Sequence, residues 1–359
     1  MMVPRSGGRE QGAGETNTWQ AATMKIDGYL VDDVAGAGAQ ARAAEADGYA
    51  GLFTFEARHD GFLPLAVAAE HTERIELGTS IAIAFSRTPM TLAHLGHDMQ
   101  VLSGGRFVLG LGSQIRPHIE RRYSMPWSRP VARMRELVEA MRAIWRCWND
   151  GEPLDFRGDF YTHTLMTPMF APPPSPHGPP RVWVAGVGPH MVEVAGAVGD
   201  GLICHPLISG RYLREALLPH LHAGARAAGR DPAGLEVAAM AMVATGTTEE
   251  EMAAAVAATR TQIGFYASTP AYRPVLELHG WGDLQPELRR LSKEGEWGAM
   301  GDAIDDEVLR TFAVVAEPDG VLPALVERFG EVTDRVGVSA LSPGVRAVMP
   351  SIVSAALRA

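Results

Sequence analysis

Short apolar runs alternate with longer stretches of helical spacing along most of the chain. The first run covers residues 26–31. An Ala-rich helix over 33–46 follows it, with Gly48 just past its end, where a glycine can take the left-handed turn that stops a helix. Runs at 52–55, 75–83 and 106–110 come next. A helix at 63–71 backs the first of these, and a helix from Pro89 to 102 backs the second; proline suits the first helical position. From 130 to 148, Val131, Met134, Val138, Met141 and Trp145 recur at helical spacing, with the arginines between them mostly on the other side. The alternation resumes with runs at 182–185, 201–204 and 235–243, followed by helices at 189–198, 212–228 and 248–266. Thr248 stands where an N-cap belongs, ahead of an acidic first turn. A helix at 318–329, a short run at 335–338 and a closing helix at 348–357 end the pattern.

The apolar runs begin near 26, 52, 75, 106, 182, 201, 235 and 335. Strands that alternate with helices pair in parallel through right-handed crossovers. Eight such units predict an α/β fold of the (β/α)8 TIM-barrel type. The extra length falls into two insertions. One follows the fourth strand and holds a hairpin over 154–170 and a Pro-rich connection over 172–180; the other follows the seventh strand and covers 269–310. An open doubly wound sheet is the competing architecture, and it usually opens on a Gly-rich phosphate loop. The first strand here ends in LVDDVAGAG, which lacks the G-x-G-x-x-G pattern. Residues 1–23 show no periodicity and no apolar signal-peptide segment, and read as a flexible extension. The barrel then spans 24–359 as one domain.

Composition narrows the function classes. Length alone, at 359 residues, would suggest two or three domains, but α/β barrels run this long as one. The net charge of −10 argues against nucleic acid as a partner. No apolar run reaches the length of a membrane span. Two cysteines, Cys147 and Cys204, cannot build a disulfide framework or a Cys-rich zinc site. A cytoplasmic protein acting on a small molecule is expected.

In such a barrel the chemistry sits at the C-terminal strand ends. Those ends carry no metal-binding motif and no G-x-S-x-G elbow. They carry glycines and small hydroxyls: Gly110 and Gly112 after the fourth strand, Gly186 and Gly188 after the fifth. The second pair leads into a helix at Pro189, whose N–H groups suit an anion; tight turns alone would explain the same glycines. Glu56 ends the second strand, either as a general acid or base or as an ion-pair partner of Arg58 or Arg87. His59 is either a proton carrier or a loop residue. His118 and Trp127 stand near the fourth loop and are candidates to touch substrate. Cys204 reads as a buried strand residue, because no base is defined for it.

Three segments resemble the bacterial luciferase-like flavin and deazaflavin oxidoreductases. They are IELGTSIAIAFSRTPMTLAHLGHDMQVLSGGRFVLGLGSQ, RPVARMRELVEAMRAIW with LDFRGDFYTHT, and PPRVWVAGVGPHMVEVAGAVGDGLICHP. The segment HIERRYSMPW is similar to the subgroup that uses coenzyme F420, a 5-deazaflavin carrying hydride at C5. The resemblance implies a non-proline cis peptide at Ser80–Ile81 behind the cofactor ring. It implies ring and ribityl contacts from Gly112, Ser113 and Gln114, phosphate contacts from Gly186, Val187 and Gly188, and His205 beside the cofactor tail. Several deazaflavin members place a His at the end of the second strand; here Glu56 stands there, and His59 follows three residues on. The resemblance thus implies an F420-dependent oxidoreductase and a homodimer. An FMN-dependent monooxygenase and a non-catalytic barrel acting as a partner subunit are the alternatives.

Overall fold

Each of the eight apolar runs becomes a strand, starting within one residue of the position read from the sequence: β1 (Lys25–Tyr29), β2 (Gly51–Thr54), β3 (Glu76–Thr79), β4 (Phe107–Gly112), β5 (Arg181–Gly186), β6 (Gly201–Cys204), β7 (Glu236–Ala244) and β8 (Arg335–Ser339). The computed structural model describes residues 24–30, 34–339 and 342–357. The extension read over 1–23 lies outside the described residues, as does Asp33 at the start of the first expected helix. Every neighbouring pair is parallel, and β8 pairs with β1 to close the ring. The protein is a (β/α)8 TIM barrel. No helix among the described residues is long and apolar enough to cross a membrane.

Local chemistry sets the helix ends. Thr88 accepts the Thr91 N–H ahead of Pro89–Leu102, and Thr248 accepts the Glu251 N–H ahead of Glu249–Ala267. Gly48 takes φ 91° after Ala37–Asp47. The helix expected over 212–228 is instead interrupted. Gly210–Tyr212 passes into a widened π turn, Leu213–Leu217, before Leu218–Ala227. Pro219 has no N–H to continue an α-helical ladder through this stretch. The hairpin is also shorter than expected, pairing only Phe156–Arg157 with Thr162–His163. A carboxylate holds its turn: Glu136 of the long helix Pro130–Asp150 accepts the N–H groups of Asp159, Phe160 and Tyr161. One strand was not foreseen. β7 outruns β6, and Ala313–Val315 pairs in parallel with the far end of β7 that β6 leaves unpaired, at Met242–Ala244.

The barrel interior is filled by Phe53, Val108, Trp183, Ile203 and Ala238. Below them, at the N-terminal end, lies a charged layer. Arg335, whose side chain is fully buried, donates two 2.7 Å bonds to the Asp27 carboxylate and further bonds to Glu76 and Glu236. Arg181 bridges the same two glutamates at 3.0 and 2.7 Å, and Lys25 reaches Glu236 at 3.3 Å. The Arg335 guanidinium also lies 5.2 Å from the Phe53 ring centre and 5.0 Å from that of Trp183. Burial alone would lower its pKa, but the Asp27 and Glu76 carboxylates hold it above the usual arginine value. A Cβ on Gly51 would come within 2.5 Å of Arg335 Nη2, so that glycine makes room for the cluster.

Replacing Arg335 by leucine strands the buried Asp27 carboxylate and leaves Glu76 and Glu236 with only Arg181 and Lys25. Removing one partner of a buried ion pair costs about 3–5 kcal/mol. Urea unfolding of Arg335→Leu should show a loss of at least that size, or no soluble protein. A midpoint equal to wild type would refute the layer's structural role.

Candidate active site

The third strand breaks at its end. The Ser80–Ile81 peptide is cis, and the chain resumes as Ala82–Ile83 against Leu111 and Gly112 of β4. β2 grips both sides of the break: Thr54 O accepts the Ser80 N–H at 2.6 Å, and Glu56 N–H donates to Ile81 O at 3.2 Å. β4 makes space from the other side. Thr79 Oγ1 donates to Gly110 O at 2.7 Å and accepts the Gly110 N–H at 3.0 Å. A Cβ on Gly110 would sit 1.8 Å from Thr79 O, and one on Gly112 would sit 2.7 Å from the Ile81 side chain. The two glycines noted in the sequence after the fourth strand thus make room for this bulge.

Glu56 is the hub beside it. Its side chain is only 6% exposed, and Oε2 accepts from Arg87 Nη1 at 2.7 Å and from the Ile83 N–H at 2.8 Å. Oε1 accepts from the Tyr123 hydroxyl at 3.3 Å. Arg87 turns its other arm to Asp60 at 2.8 Å. Of the two ion-pair partners open in the sequence, the structure selects Arg87. Arg58 and His59 are exposed on the loop that follows. Burial, with the Glu56 carboxylate nearby, raises the Tyr123 pKa, so its phenol stays protonated.

Residues 113–127 fold over this corner. Gln114 adopts φ 60° and accepts the Ile115 N–H on its own side chain at 3.0 Å. Ser113 donates to the Gln114 carbonyl at 3.1 Å. The Arg122 guanidinium donates to Ala57 O, next to Glu56. Trp127 packs edge-on against the buried Phe85, with ring centres 5.7 Å apart, while His118 is exposed. Arg133 ties the segment down, donating to Pro126 O at 2.6 Å and to the Tyr161 hydroxyl at 2.8 Å. Arg133 is the exception among the arginines of the long helix, which lie mostly away from the core as the spacing predicts: it is 6% exposed and stacks over Phe85. Helical spacing placed the arginines as a group and gave no sign that one of them turns inward.

Opposite stands His205, after β6. Its ring stacks on Tyr272, with centres 4.2 Å apart, and meets Tyr266 edge-on at 4.6 Å. Nδ1 accepts the Leu207 N–H at 3.1 Å, so the neutral ring carries its proton on Nε2. Burial pushes the His205 pKa down to about 3 and the neighbouring Cys204 thiol up to about 12. Neither tyrosine carried a sequence signal, since both lie outside the strand ends. Gly186, Val187 and Gly188 link β5 to the helix Pro189–Val198. Gly188 is its N-cap, with no side-chain cap bond, and a Cβ there would meet nothing within 4 Å.

The site therefore brings Glu56, Ser80, Ile81 and Gly112 into one corner and leaves His59 and His118 exposed at its rim. A family profile described as luciferase-like monooxygenase matches residues 8–335. An uncharacterized protein of Mycobacterium tuberculosis, Rv1360, is 56% identical over 88% of this chain and 93% of its own length. The 5,10-methylenetetrahydromethanopterin reductase of Archaeoglobus fulgidus is 26% identical over 78% of this chain and 80% of its own. Among solved structures, the coenzyme F420 dependent tetrahydromethanopterin reductase from Methanopyrus kandleri superposes with a TM-score of 0.76, at 19% identity, over 92% of this chain and 97% of that one.

Two outcomes follow from the geometry. Gly110→Ala should not yield folded protein, whereas Gly112→Ala, which meets only a side chain, should fold with a lower Tm; equal Tm values for both variants and wild type would sink this account of the bulge. The unfolded His205 ring binds a proton below its ordinary 6.5, but the folded ring stays neutral to about 3. Stability is therefore whole above that ordinary value and falls as pH drops toward the lower one. His205→Phe should flatten the loss between pH 7 and 4.5, read as a smaller shift in urea midpoint.

Proposed function

From a chain that belongs to the luciferase-like monooxygenase family, we propose an F420-dependent oxidoreductase, moving hydride between deazaflavin C5 and a small or mid-sized organic substrate. One observation carries the proposal: the carboxylate, thiol and imidazole placed at the barrel mouth are already paired, buried or neutral. Glu56 is committed to Arg87, Cys204 is a buried thiol, and His205 is neutral. Chemistry at such a mouth must arrive with a cofactor.

The residues present fit one. The turn at Gly188 opens on free space and on the uncapped N–H groups of a ten-residue helix, which favour a phosphate. The bulge at Ser80 and Ile81 would back the ring, with Gly112, Ser113 and Gln114 beside it. A bound deazaflavin supplies the hydride-carrying carbon. The chain supplies the rest. Glu56 fixes the bulge through Ile83 and the covering segment through Tyr123. The Tyr123 phenol is a proton held next to that carboxylate. His205 presents an Nε2–H donor whose tautomer is set by the Leu207 N–H. The activity class named for the Archaeoglobus reductase, and the cofactor named for the Methanopyrus one, support this reading. The family's description as monooxygenases favours FMN as the second reading.

Titration of the purified protein with F420 and with FMN, followed by fluorescence, separates the two. Tight binding of F420 with no oxygen consumption is expected; binding of FMN alone, with oxygen uptake, overturns the proposal. Glu56→Gln should keep F420 affinity while turnover falls by about tenfold or more, in the range of lost acid–base or positioning groups. Unchanged turnover would remove Glu56 from the mechanism.

A further inference from the structure

A second concave site lies away from the barrel mouth, on the outside of β7. It is a cleft of about 470 Å3 between the helix start at Ser209–Gly210, the added strand Ala313–Val315 and the helix Pro318–Phe329. Four arginines line it: Arg211, Arg214, Arg310 and Arg328. Glu327 is the one acid in the lining. In a chain of net charge −10, this is a local reversal of sign.

The cations divide into two kinds. Arg211 pairs with Glu215 at 3.0 Å and Arg214 with Glu331 at 3.5 Å, both as half-exposed pairs at the rim. Such pairs are weak and open to exchange for a better anion. Arg328 has no carboxylate partner among the described residues. Its guanidinium donates to the carbonyls of Arg310, Thr311 and Ala313, which fixes it rigidly at the end of the helix Asp306–Phe312. Burial lowers its pKa to about 10, which leaves it charged at neutral pH. Arg310 is exposed, and its side chain has no bonding partner among the described residues. Its own carbonyl is held by Arg328, which makes no salt bridge among the described residues and feels the Glu327 carboxylate only at a distance.

The polar wall is equally fixed. Ser209 Oγ accepts the Tyr212 N–H at 3.0 Å and lies 2.8 Å from His279 Nε2. The His279 ring stacks on Trp281 at 5.2 Å and meets Phe312 edge-on at 5.7 Å. A preformed cavity of a few hundred Å3 with convergent donors is the usual form of a small-molecule site. Arginine forks match phosphoryl and carboxylate oxygens in pairs. We propose that this cleft binds a small, multiply charged anion carrying phosphoryl or carboxylate groups, at a site separate from the barrel mouth.

Isothermal titration of the full chain in low salt, with inorganic tripolyphosphate in one arm and citrate in the other, tests this. Saturable binding of either is expected, and the arm that binds tells a phosphoryl from a carboxylate ligand. Arg310→Ala should weaken it about tenfold, the size of one lost charge-assisted contact, and Arg310→Glu should abolish it. Both variants should fold, because that side chain supports nothing else. Arg146→Glu, the same charge change on the exposed side of the long helix, should leave binding intact. No saturable binding of either anion to wild type, or equal losses in Arg310→Glu and Arg146→Glu, would overturn the proposal.

Discussion

The barrel depends on one buried guanidinium. Arg335 enters from the first residue of β8, and its donors reach carboxylates on β1, β3 and β7. These strands are far apart in sequence and are brought together only when the ring closes. With Arg181 and Lys25 on one side and Asp27, Glu76 and Glu236 on the other, the layer is neutral by count. Desolvation makes it costly unless every member is present, so it specifies a closed ring rather than merely adding to its stability. The same layer plugs the N-terminal end. Phe53 and Trp183 stack above the guanidinium, and the interior over them holds only a residual void of about 10 Å3. The interior of the ring therefore has no room for a ligand.

At the C-terminal mouth the constraint is backbone space. The β3 bulge needs an acceptor and a donor from β2, a hydroxyl from Thr79 and two positions on β4 without a side chain. Glu56 then joins the bulge to Arg87, and through Tyr123 to the segment that covers the corner. A carboxylate so engaged organises three elements at once. What it offers the proposed chemistry is the geometry it holds and the phenolic proton placed beside it.

Much of the frame was legible in the sequence because parallel strands buried on both faces read as unbroken apolar runs. That is why β6 was found to the residue and β8 in spite of its isolation. Ala313–Val315 was not found, since three apolar residues leave no periodicity; its existence follows from the unpaired end of β7. Arg335 could not be read either. A cation on the first residue of a strand looks like a boundary, and only ring closure shows that it points inward. The inward turn of Arg133 was not legible for a related reason, because spacing along a helix tells its faces apart but not which neighbour covers them. Glu56 was readable as a residue of interest, with Arg87 among its partners, whereas Tyr123 and Tyr272 reach the mouth from insertions that carry no pattern and Tyr266 from the end of a helix whose spacing did not single it out.

The arginine-rich, lysine-poor composition gains a physical meaning from the turns between helices and strands. Helices end in carbonyls without partners, and a planar guanidinium can satisfy several at once where an ammonium is a compact point charge. Arg106 takes the carbonyls of Ala69, Thr72, Ile75 and Ser103 where two helices end around the start of β4. Arg142 and Arg230 share the end of Pro189–Val198, collecting Gly196, Val198 and Gly199 before pairing with Asp200. Arg328 does the same for Asp306–Phe312, but no carboxylate completes it. In the first three cases the cation is consumed by the fold, through a crowd of carbonyls or a neighbouring aspartate. In the last the carbonyls fix the guanidinium at the wall of an open cleft, with no salt bridge among the described residues. The device that closes helix ends elsewhere in the barrel here sets a rigid, largely buried cation into the wall of the cleft.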